Sequence, residues 1–162
     1  MLRVARFNGS CVLALAGVCA FVSASYHDVH GTIVGLLVAG AGAIELHGAG
    51  LLAHREERGL RWLVSAQVYL MFIMLAYVAY SLHHPDIAGF RRLLATAASD
   101  YSLSTGDLRQ AVVQSGMTVD EFLRSTYQLV YLLVGAATVV FQGAMGIYYA
   151  RRQPAVAKAL AR

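Results

Sequence analysis

Residues 31–53 read GTIVGLLVAGAGAIELHGAGLLA, an apolar run long enough to cross a bilayer that still carries a carboxylate, Glu45, and an imidazole, His47, near its middle. Ionisable groups at membrane depth are costly and normally face protein or a water-filled cavity. Gly35, Gly42 and Gly48 in the same run, and Gly143 in a later one, are small enough to let another helix approach closely. Together these features demand helix packed on helix, with a polar group that a neighbour must satisfy.

Windows 7–26, 62–82 and 127–150 are also long and apolar enough to span a bilayer. The chain of 162 residues is 58% hydrophobic and only 14% charged, with a mean hydropathy of +0.57. That is too apolar for an ordinary soluble domain. The expected fold is all-α: a polytopic membrane protein, one domain over 1–162, built as a four-transmembrane-helix bundle.

The basic residues sit at the ends of the spans. Arg3, Arg6, Arg55, Arg58, Arg61, Arg151, Arg152, Lys158 and Arg162 fall on one side, against Arg91, Arg92, Arg109 and Arg124 on the other. Basic residues in short connections mark the cytoplasmic side, so a multi-pass protein of a bacterial-type inner (plasma) membrane is expected, both termini cytoplasmic. A net charge of +4 distributed in this way is not a nucleic-acid surface. The first span also has features of a signal peptide, with Arg3 and Arg6, an apolar run over 11–22, then Ser23-Ala24-Ser25. Its apolar stretch is long for such a segment, which favours a retained span.

Segment 83–126 is too long and too patterned for a bare loop. Pro85 can open a helix in which Ile87, Phe90, Leu93 and Leu94 recur at helical spacing through Ala97. A break at 100–105 and a second short helix over 106–115 follow. Thr118 to Glu121 then form a capping box flanked by Met117 and Phe122, starting a helix that should run uninterrupted into the fourth span. The expectation is a small helical extracytoplasmic cap between spans 3 and 4.

Two constellations could carry chemistry. Counted from the span ends, Glu45 and Gln142 lie about nine residues in and Gln67 about six, roughly 9–13 Å from one face at about 1.5 Å per residue. The three can form an intramembrane polar layer. Gln142 shares its helix face with Tyr127, Tyr131, Gly135, Thr138, Met145 and Tyr149, a polar face that should look into the bundle. His47 lies about 200° around its helix from Glu45, so the two do not share a site. The second constellation is His27, His30, His83 and His84 at the opposite rim, beside Asp28 and Asp86, which are ligand types for zinc, copper or iron. Metal or haem is possible there; otherwise no cofactor is expected. A haem at the level of His47 would need a second histidine at equal depth, and none exists.

Cys11 and Cys19 stand about 12 Å apart on one helix and cannot pair. No nucleophile elbow, phosphate loop, zinc-protease helix or dinucleotide fingerprint is present. The pattern leans away from an enzyme. It favours a small integral membrane protein acting through helix–helix contacts, as an accessory or assembly subunit with a homo- or hetero-oligomeric membrane partner. The alternatives are a transporter or proton/ion conduit built on Glu45, Gln67 and Gln142, and a metal or haem redox protein using the outer histidines.

Overall fold

The computed structural model describes residues 2–100 and 116–160. Regular structure among the described residues is helical: α1 (Leu2–Ser25), α2 (Val29–Ala53), α3 (Arg58–His83), α4 (Ile87–Asp100) and α5 (Val119–Leu160). α1, α2, α3 and α5 each contain a stretch long and apolar enough to cross a membrane, so the chain is a multi-pass membrane protein. Large apolar side chains on their outer faces, Phe7, Phe21, Phe72 and Val140 among them, are more than two-thirds exposed. Lipid, not water, is the solvent that suits such a surface.

Each of the four runs past the apolar window that marks it in the sequence, because backbone hydrogen bonding continues into the polar interface until something stops it. Asp28 caps α2, its carboxylate accepting from the Gly31 N–H at 3.0 Å. The chain reaches that cap through His27, held at φ 58°. α2 ends at His54, where the next residue, Arg55, turns left-handed at φ 63°. Asp86 caps α4 by accepting from the Gly89 N–H at 2.8 Å, so Pro85 lies two residues before the first residue of the helix it was expected to open. At α5 the capping box is reciprocal: the Thr118 N–H donates to Glu121 Oε2 at 2.8 Å and the Glu121 N–H to Thr118 Oγ1 at 3.3 Å. The helix it starts has 42 residues and continues through Pro154. At about 1.5 Å per residue it is twice as long as a hydrocarbon core of about 30 Å requires. The helix expected over 106–115 lies outside the described residues.

Contacts divide the chain into two compact units, residues 1–77 with 137–162, and residues 78–136. In the first, α1 and α2 meet backbone to backbone. A Cβ added at Gly42 would lie 2.7 Å from the Leu13 nitrogen, and one at Gly35 would lie 2.8 Å from the Ala20 Cβ. α2 and α3 meet in the same way at Gly48, 2.9 Å from the Gly59 carbonyl oxygen by the same construction. Gly143 has open space around it instead. Ala5, Ala49, Leu52, Leu60, Leu63 and Tyr149 form the apolar core at one end of this unit.

In the second unit Tyr127 is buried and its hydroxyl donates to the Ser81 carbonyl at 3.3 Å. Phe90 of α4 packs edge-on against the Tyr127 ring, and Arg91 pairs with Asp120.

Candidate functional site

The polar centre of the first unit is assembled by hairpin geometry. Residues equidistant from a tight turn face each other in an antiparallel helix pair. Glu45 lies 18 positions after His27, and Gly9 lies 18 before it, which brings Asn8 and Gly9 opposite Glu45. Across the next turn Glu45 lies ten positions before Arg55, and Ala66 lies ten after Glu56, with Gln67 adjacent. Small residues on the Glu45 face let both neighbours come close.

Glu45 is 2% exposed. Asn8 Nδ2 donates to its Oε2 at 2.7 Å, and the Tyr149 hydroxyl donates to its Oε1 at 2.8 Å. Tyr149 is itself fully buried in the apolar core. Gln67, also 2% exposed, stands beside the same carboxyl but outside hydrogen-bond geometry, both of its amide atoms without a partner. One carboxyl on α2 is thus attended from α1, α3 and α5. The single ion pair among the described residues is Arg91 with Asp120, so no cation neutralises Glu45 there.

This arrangement satisfies the charged state of the carboxyl. As a carboxylate it accepts from two fixed donors. As a carboxylic acid it needs an acceptor for its own proton, and the neighbouring Gln67 amide, both of whose polar atoms are without a partner, does not supply one in this geometry.

Gln142 is half-buried with its Oε1 buried and unpartnered, and that oxygen has no bond to Glu45 or Gln67. The layer expected from Glu45, Gln67 and Gln142 is therefore, as hydrogen bonds go, a cluster of Asn8, Glu45 and Tyr149 with Gln67 at its edge. Asn8 was missed because it sits near the start of its span, where a polar residue is unremarkable until it is set against its hairpin partner.

His47 lies exposed on the opposite side of α2, its ring edge-on to Trp62 at 5.4 Å. His27, His30, His83 and His84 are all exposed. Their neighbours Asp28 and Asp86 are engaged as helix caps. Among the described residues no group of three or more His, Cys, Asp and Glu could hold a metal ion. Cys11 and Cys19 are free thiols.

No known family, curated protein or solved structure matches the chain.

Proposed function

We propose that this multi-pass membrane protein takes up and releases a proton at Glu45, as a small proton conduit or proton-coupled transporter. The observation that carries the reading is a carboxyl 2% exposed, attended from three other helices and without a cationic partner. A fixed charge so placed is costly, about 2.5–3.5 kcal/mol at the centre of a membrane helix. A purely structural tie between helices could be made by a neutral amide at lower cost. A carboxyl earns its place where the charge must change.

The arginine asymmetry of the sequence supports an inner-membrane orientation with both termini in the cytoplasm, which puts Glu45 nearer the cytoplasmic face.

Purified protein in vesicles carrying a pH-sensitive dye tests the reading. Proton flux should require the protein and be abolished in Glu45→Gln, which remains helical and monodisperse. Equal flux in the two proteins would overturn it.

The association role that the sequence favours falls to α5 if it operates. Gly35, Gly42 and Gly48 are occupied by contacts within the chain, whereas α5 is the least buried span and Gly143 is open. Disulfide crosslinking between copies carrying Gly143→Cys, or from it to a partner in native membranes, is the expected result. No crosslink from 143 would remove this second reading.

A further inference from the structure

We propose that the last turns of the α5 span form a binding site for one anionic phospholipid, its phosphate held by Arg151 and Arg152 and an acyl chain lying along Ala144 and Ile147. Ala144, Ile147, Tyr148, Arg151 and Arg152 line an open cleft of about 420 Å³. They recur at three- and four-residue spacing, so they make one continuous stripe, apolar toward the span and cationic at its end.

The charge on this stripe is uncompensated. Neither arginine is in an ion pair among the described residues, where Arg91 and Asp120 form the one such pair. The α2–α3 turn and the first turn of α3 carry Arg55, Arg58 and Arg61 against Glu56 and Glu57, adding a further positive excess. One guanidinium is held in place: the Arg152 Cζ lies 5.4 Å from the centre of the Tyr148 ring, a cation–π contact that leaves the N–H edges free for a ligand. Guanidinium forks match phosphate oxygens in pairs.

Depth selects the lipid from among phosphate-bearing ligands. Arg151 and Arg152 directly follow the apolar window 127–150, which is where a headgroup phosphate sits when acyl chains pack along that window. The apolar half of the cleft would be wasted on a soluble anion. A second cleft of about 490 Å³, lined by Glu57, Arg58, Leu60, Arg61, Gln153 and Pro154, sets a glutamate among its arginines, which an anionic headgroup would meet as repulsion.

The test uses the full chain in neutral detergent, titrated with phosphatidylglycerol, phosphatidylcholine or inorganic phosphate and read by native mass spectrometry and thermal stability. Phosphatidylglycerol should bind at one molecule per chain and raise the unfolding temperature. Phosphatidylcholine should bind at least ten-fold more weakly, and inorganic phosphate should have no effect. The double variant Arg151→Gln, Arg152→Gln should lose the preference by ten-fold or more while keeping the unliganded unfolding temperature. Arg124→Gln, which removes an exposed charge elsewhere, should bind as the parent does. Equal binding of the two lipids, full binding by the double variant, or an equal response to inorganic phosphate would each overturn the proposal.

Discussion

Replacing Gly42 by alanine puts the closeness of α1 and α2 to a quantitative test. The new methyl would lie 2.7 Å from the Leu13 backbone nitrogen and 2.8 Å from the Gly9 carbonyl oxygen. Both are main-chain atoms, so no side chain can swing aside, and the helices must part. Ordinary contact begins near about 3.5 Å, which leaves roughly 0.7–0.8 Å to be found. Overpacking of this order costs about 1–3 kcal/mol. Taken alone the variant is ambiguous, because Gly→Ala also improves helix propensity by up to about 1 kcal/mol. Gly40→Ala, two positions earlier on the same helix, carries the same propensity gain, but its methyl meets only the Tyr69 hydroxyl at 3.9 Å. The difference between the two variants therefore isolates the steric term. Gly42→Ala should be less stable than Gly40→Ala by about 1–3 kcal/mol, measured by denaturant unfolding of each protein in the same neutral detergent. The strain also falls on the site. Asn8 precedes Gly9 directly, so forcing α1 from α2 lengthens the 2.7 Å bond from Asn8 to Glu45, and proton flux should fall in Gly42→Ala only. Equal stability of the two variants would refute the backbone contact and the register built on it.

Two further outcomes are expected. Glu121 lies ahead of the apolar window, and hydrogen bonds from the Thr118 N–H and then its hydroxyl hold its carboxyl below the usual carboxylate range. A group whose folded pKa is depressed stabilises above its unfolded pKa and loses that contribution as pH falls through the folded one, so the first turn of α5 should fray below about pH 4. Amide exchange at residues 119–123 reads this, and Glu121→Gln should remove the pH dependence; an unaltered profile would count against the box. For orientation, in a background with Cys11 and Cys19 replaced, Val29→Cys should react with an impermeant thiol reagent applied outside and Glu56→Cys should not; the reverse pattern would invert the topology.

The helices were legible because a membrane simplifies the signal. Length and hydropathy mark a span directly, and the Thr118–Glu121 box named the start of α5 to the residue. Helix ends were less legible, since polar residues beyond the apolar windows remain helical until a cap or left-handed residue such as Arg55 intervenes. Depth counting set Glu45, Gln67 and Gln142 at one level, but the hydrogen bonds to Glu45 come from Asn8 and Tyr149, because equal depth says nothing about which way a side chain reaches. It also missed Asn8, although counting outward from the turn at His27 leads to it. Tyr149 was visible only as part of a polar face; that its hydroxyl reaches α2 depends on how α5 packs, which no local pattern encodes. Beside the outer histidines, Asp28 and Asp86 cap α2 and α4, a use that residue type and spacing alone do not separate from ligation.

The two donors to Glu45 differ in when they exist. Asn8 precedes the glutamate by 37 positions, and Tyr149 follows it by 104. During synthesis the first hairpin is complete while most of the chain is still unmade. The bond from Asn8 thus needs only the first hairpin, whereas the bond from Tyr149 needs a helix made much later. Loss of α5 would therefore leave Glu45 with its α1 donor alone, and loss of α1 would leave it with its α5 donor alone.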